Sequence, residues 1–144
     1  MVSPPQAAGP ASVIDRDVRL PAAPASVRDA RGLAEEAAAA FGLGDEDTFQ
    51  FKLGTSEAVA NAIEHGAPCS DGRIGVRVRE RPAGDLRVCV IDCGKFDPPA
   101  EDSDILSDRG RGLGFIALLM DDVEVRAGAR STVVCMTKRR SRGC

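Results

Sequence analysis

From Ser26 onward, apolar residues fall at Val27, Ala30, Ala34, Ala37, Ala38 and Phe41, the three-and-four spacing of a single helical face. Ser26 suits the N-cap of that helix, with Asp29 as a capping-box-like partner, and Gly42 ends it. A second helical pattern starts at Asp45 or Asp47, either of which suits a cap, and runs to Gly66. On it Phe49, Leu53, Ser56, Val59, Ala60 and Ile63 form a mostly apolar stripe at about 100° per residue. Elsewhere the period drops to two. Ile74 to Arg79 alternates apolar and polar as a half-exposed strand does, and Asp17 to Leu20 reads as a short edge strand. Pro82 to Asp85 makes a hairpin turn into the strand Leu86 to Ile91. After a further helix come Val123 to Arg126 and Ser131 to Thr137, a second hairpin around Gly128. These elements predict an α/β two-layer sandwich, with helices on one face of a mainly antiparallel mixed sheet.

Composition narrows the function. A chain of 144 residues is long enough to bury one core, and residues 15–139 are expected to form it. Residues 1–14, rich in Pro, Gly and Ala, read as a disordered tail, and 140–144 as a basic tail with a solvated end from Lys138. The net charge of −3 and the lack of Tyr and Trp argue against direct nucleic-acid binding. The start carries no basic n-region or apolar h-region, and no apolar run is of spanning length. A cytoplasmic protein without membrane contact is the expectation. Cys69, Cys89, Cys93, Cys135 and Cys144 show no Cys-x-x-Cys spacing. Cys89 and Cys135 lie in strand patterns and read as small core hydrophobes, while Cys93 sits where oxidation is conceivable.

The candidate chemistry begins with Glu57, Asn61 and His65, at successive four-residue steps beside the stripe of the second helix. A carboxylate and an amide oxygen on one flank suit a general base and a hard cation such as Mg²⁺. His65, just before Gly66, reads as a partner of the helix C-terminus rather than as a proton shuttle. Downstream, the strand from Leu86 ends in Asp92-Cys93-Gly94, and Gly110-Arg111-Gly112-Leu113-Gly114 leads into Phe115 to Met120. Glycines let backbone approach a ligand, and a helix start offers N–H groups to phosphate. Lys95 reads equally as a phosphate contact or a solvated loop lysine; Arg109 and Arg111 suit phosphate binding or simply a charged lid.

In this order, the segments resemble the anti-sigma-factor serine/threonine kinases of the GHKL, or histidine-kinase-like, nucleotide-binding superfamily. Glu57-Ala-Val-Ala-Asn61-Ala-Ile-Glu-His65-Gly66 is similar to the family's N box, Asp92-Cys-Gly94 to the start of its G1 box, and Gly110 to Gly114 to its G2 box. Leu119 to Glu124 and Ser131-Thr132 fit its closing segments, so the resemblance covers roughly residues 15–139. It implies ATP and Mg²⁺ as cofactors, Glu57 as general base and Asn61 as the metal-holding residue. It further implies adenine recognition by Asp92, with Gly94, Gly110, Arg111, Gly112, Leu113, Gly114 and Thr132 completing the nucleotide site beneath a mobile lid. The implied activity is phosphorylation of a serine or threonine on an anti-sigma-factor antagonist, coupled to sequestration of a sigma factor by a homodimer. Arg31 falls where the family presents a basic residue to protein partners. One departure stands out: Asp92-Cys-Gly-Lys-Phe96 lacks the second glycine of the usual G1 box. It keeps open an alternative, a non-catalytic anti-sigma binding module with weak or no nucleotide binding.

Overall fold

The structure, a computed structural model, describes residues 13–94 and 108–140. Strand β1 (Asp15–Pro21) is followed by helices α1 (Ala25–Phe41) and α2 (Asp45–His65), then by the hairpin β2 (Arg73–Arg81) and β3 (Asp85–Asp92). Helix α3 (Asp108–Leu119) leads into β4 (Asp122–Ala127) and β5 (Thr132–Arg139). The strands lie in the order β1-β2-β3-β5-β4, and all four pairings among the described residues are antiparallel. The helices cover one face. Both predicted hairpins are present, and Gly84 at φ 93° closes the first by donating its N–H to the Arg81 carbonyl at 2.8 Å.

Strand alternation sorts the two faces. Ile74, Val76 and Val78 of β2, Leu86, Val88 and Val90 of β3, and Val134 and Met136 of β5 are buried toward the helices. The register aligns Val76 with Val90 and Val90 with Val134, so apolar rows cross the sheet unbroken. Each such side chain is worth about 1.5–3 kcal/mol on burial. The other face carries Arg77, Arg79, Arg81, Arg87 and Arg126 around Cys89, Ile91, Val133 and Cys135. Arg87 reaches Glu124 at 2.8 Å, and Arg126 reaches it at 3.0 Å, holding that carboxyl below the usual range.

Five expectations change. Ser26 does not cap α1: Pro24 occupies that position, and the Ser26 hydroxyl donates to the Pro21 carbonyl at 2.6 Å, tying the helix to the end of β1. Gly44 stands at the start of α2, so Asp45, Glu46 and Asp47 fill its first turn, where carboxylates favour the helix dipole. The buried face of α2 is rotated from the expected stripe. Of that stripe Ser56 and Val59 are buried, beside Phe51, Gly54, Thr55, Ala58 and Ala62, whereas Phe49 is 61% exposed and Leu53, Ala60 and Ile63 are half-buried. Small residues dominate that face because α2 packs against α1, α3 and the sheet; a Cβ on Gly54 would meet Met120 Cε at 2.6 Å.

Cys89 and Cys135 are not separate hydrophobes but a disulfide between register partners of β3 and β5, and a second disulfide joins Cys69 to Cys93. Nor is the run from Lys138 a solvated end. Lys138 is buried, bonding Gln50 and the Leu119 carbonyl and facing Asp47 at 3.7 Å. Arg140 donates to the Phe41 carbonyl at 2.8 Å and stacks on its ring. Lys138 and Arg140 thus clasp α1, α2 and the end of α3. At the other end Ile14 packs on the core; residues 1–12 and 141–144 lie outside the described residues.

Candidate nucleotide site

Asp92 is the last residue of β3, on the helix-covered face, and its register partner is Thr132, the first residue of β5. Both are buried. The Asp92 Oδ1 accepts the Gly94 N–H at 2.8 Å and the Ala67 N–H at 3.4 Å. The Thr132 hydroxyl donates to the Gly94 carbonyl at 3.0 Å. Cys93 donates its N–H to the Ala67 carbonyl at 2.9 Å, so the segment after α2 is laced to the exit of β3.

Helix α2 ends against this floor. A Cβ on Gly66 would lie 2.5 Å from the Asp92 carboxyl carbon and 2.7 Å from the Ala62 carbonyl, so only glycine lets the helix close so near the carboxylate. A Cβ on Gly94 would meet the Ala67 nitrogen at 2.9 Å. Asn61 lies five residues before Gly66, about 7.5 Å along the axis, and Glu57 one turn further back. Glu57 is half-buried and Asn61 is buried at 9% exposure, deeper than a solvated flank. Its Nδ2 is one of three buried side-chain atoms among the described residues without a hydrogen-bond partner, and the other two belong to Arg77 and Arg79. His65 is exposed in the last turn, 3.7 Å from Glu64, as expected of a residue complementing the helix end.

The glycine segment differs from expectation. Helix α3 begins at Asp108, so Gly110, Gly112 and Gly114 are helical rather than a loop preceding the helix. Leu113 packs partly against the core with Ile116 and Met120, while Phe115 and Leu118 face outward. Of the residues expected at the site, the structure brings Asp92, Gly94 and Thr132 together beside Gly66, where α2 ends; Asn61 and Glu57 lie further back along the same helix. The side chain of Arg111 lies outside the described residues, as do Lys95 and Phe96.

Residues 20–138 match the family model of the histidine kinase-like ATPase domain. The chain belongs to the histidine kinase-like ATPase family. Its relatives in that family include two proteins called serine-protein kinase RsbW. One, from Bacillus pumilus, is 33% identical over 136 residues, covering 85% of this chain and 83% of its own length. The other, from Bacillus velezensis, is 33% identical over 135 residues with the same coverage. Among solved structures, one of the RsbU and RsbW domains of a Mycobacterium tuberculosis protein aligns with a TM-score of 0.71 at 26% identity. It covers 91% of this chain, which spans 34% of that longer chain. The resemblance to the anti-sigma-factor serine/threonine kinases therefore holds, and with it an ATP-using kinase-like fold. No described helix is long and apolar enough to cross a membrane.

Sequence reasoning missed Cys69, Ala67 and the role of Gly66. Nothing local marks the pairing of Cys69 with Cys93 across 24 residues. Gly66 was legible as a helix end, but not as the point where that end meets Asp92.

Proposed function

We propose that this chain is an anti-sigma factor with serine/threonine kinase activity, transferring the γ-phosphoryl group of ATP to a hydroxyl of an antagonist protein and sequestering a sigma factor. The observation that carries the proposal is the meeting of the N-box helix and the Asp92–Gly94–Thr132 floor at one end of the sheet. Asp92 accepts the adenine amino group, and Gly94 leaves room beside it. Glu57 takes the proton of the attacking hydroxyl as its oxygen bonds to the γ-phosphorus and the bond to the β-phosphate oxygen breaks, releasing ADP.

The side chains suit Mg²⁺. Asn61 would hold Mg²⁺ through its amide oxygen, a hard donor of the kind this cation prefers, while the unmatched Nδ2 would face an anionic oxygen beside it. When bound there, Mg²⁺ supplies neutralisation of the charge on the phosphates. Asn61 orients that ligand set, and its orphaned Nδ2 is free to donate to an anionic oxygen. The antagonist, the sigma factor and a homodimeric state follow from the same reading, as does a cytoplasmic location.

The test is transfer of label from γ-labelled ATP to the antagonist. Glu57→Gln keeps the size of the side chain and removes its basicity, so transfer should fall about 10²–10⁴-fold with ATP binding retained. Equal rates would remove Glu57 from the chemistry. Wild-type chain that transfers nothing yet sequesters a sigma factor would establish the second reading, a binding module, which the missing G1 glycine between Gly94 and Phe96 favours.

A further inference from the structure

The two disulfides are built differently. Cys89 and Cys135 are already register partners in the β3–β5 ladder, and Cys135 is 5% exposed. Backbone hydrogen bonds hold those strands together whether or not the sulfurs are joined. Cys69 and Cys93 belong to no ladder. Cys69 lies in the connection from α2 to β2, Cys93 between Asp92 and Gly94, and their Cα atoms are 4.8 Å apart, within the ordinary span of a disulfide. Cys93 is exposed and Cys69 half-buried, whereas Cys89 is half-buried and Cys135 buried, so the Cys69–Cys93 bond lies nearer to solvent and to an attacking thiolate.

The bond reinforces the contacts that shape Asp92. The connection it pins supplies the Ala67 N–H to the Asp92 carboxylate and the Ala67 carbonyl to the Cys93 N–H. On its far side the connection is held independently. Gly72 donates to the Cys69 carbonyl at 2.8 Å, and Arg19 forks onto Asp71 at 2.9 Å, holding that carboxyl below the usual range. Opening the disulfide therefore leaves the Asp92 side of the connection held only by the two Ala67 backbone hydrogen bonds, while the far side keeps its own.

We infer that Cys69 and Cys93 form a thiol–disulfide modification site that sets the affinity of the adjacent nucleotide pocket, tighter when oxidised and weaker when reduced. The inference rests on the assignment of Asp92 to adenine. In the exchange, the thiolate of a small thiol attacks the Cys93 sulfur, forming a mixed disulfide and releasing the Cys69 thiolate, which takes up a proton. A second thiol then displaces Cys93 and leaves as the small-molecule disulfide; an oxidised small-molecule disulfide drives the reverse. In a reducing compartment such a bond serves sensing rather than scaffolding. Linkage adds a second requirement: whatever factor oxidation adds to ATP affinity, ATP adds to the resistance of the bond to reduction.

The experiment uses the full chain in glutathione buffers of graded ratio, with alkylation mapping of each cysteine and calorimetric titration of ATP. Cys69–Cys93 should open before Cys89–Cys135, and ATP should bind about tenfold more weakly to the opened chain. Saturating ATP should shift the opening by the same factor. Cys69→Ser should bind ATP weakly at every ratio, whereas the Cys89→Ser/Cys135→Ser chain should keep the redox dependence. Should Cys69→Ser fail to fold, the ATP-dependent shift in the wild type decides alone. Equally tight ATP binding by both forms, or no shift with ATP, overturns the inference and leaves the nucleotide site standing. Absence of ATP binding in either form overturns the Asp92 assignment and the inference with it.

Discussion

Two segments expected at the nucleotide site, the Asp92 junction and α3, are made in opposite ways. The Asp92 junction is over-determined: one carboxylate oxygen accepts two backbone N–H groups, a threonine hydroxyl holds the next carbonyl, and a disulfide crosses the same junction. Helix α3 carries glycine at positions 110, 112 and 114, each costing about 1 kcal/mol relative to alanine within a helix. It also turns Phe115 and Leu118 outward, the latter 82% exposed. Under the proposed function the contrast would separate two tasks: reading the edge of a base needs fixed acceptors, whereas covering phosphates needs backbone able to change shape around them.

The sharpest way to break the contrast is to place the same methyl group in each segment. Gly66→Ala drives a Cβ into the Asp92 carboxylate, so it should destabilise the fold by about 1–3 kcal/mol and abolish ATP binding, read by chemical denaturation and calorimetry. Next in size, Asn61→Ala should remove Mg²⁺-dependent ATP binding. It should leave stability unchanged or raise it, because it deletes a buried amide whose Nδ2 has no partner. Loss of stability without loss of Mg-ATP affinity would make Asn61 a structural residue. Thr132→Val removes one hydroxyl bond to the Gly94 carbonyl, and a midpoint shift worth about 1 kcal/mol is expected, with a parallel loss of affinity. Smallest is Gly114→Ala, where the added Cβ meets no described atom within 4 Å beyond its chain neighbours and its own helix backbone. It should stabilise the fold by up to about 1 kcal/mol, and a loss instead would show that α3 needs glycine in the resting state.

The asymmetry also explains what the sequence discloses. Alternation in β2, β3 and β5 and the Ala30-to-Phe41 stripe of α1 are strong periodic signals, and both hairpins and the layer arrangement follow from them. The face of α2 was misread because beside Phe51 and Val59 its buried positions are Gly54, Thr55, Ser56, Ala58 and Ala62, weak in hydrophobicity, while the large Phe49 points to solvent. Packing against two helices and a sheet selects small residues there, and periodicity weighted by hydrophobicity cannot register them. Motif order singled out Asp92, Gly94 and Thr132, which meet in the fold, and Glu57 and Asn61, whose roles belong to the proposed function. The Cys69–Cys93 bond and the Gly66 contact depend on where the α2–β2 connection runs, which no local pattern encodes. Lys138 and Arg140 misled in the same way, since a basic terminal run looks solvated until its partners at Gln50, Leu119 and Phe41 are placed.

The central claim, that the fixed Asp92 junction reads adenine, is tested most directly by titrating the oxidised chain with ATP and with GTP. A carboxylate placed to accept from the amino group of adenine meets the carbonyl of guanine acceptor to acceptor, so GTP should bind about 10²-fold or more weakly. Asp92→Asn should narrow that gap. Equal affinity for the two nucleotides in the wild type, or a gap unchanged by Asp92→Asn, would contradict the account.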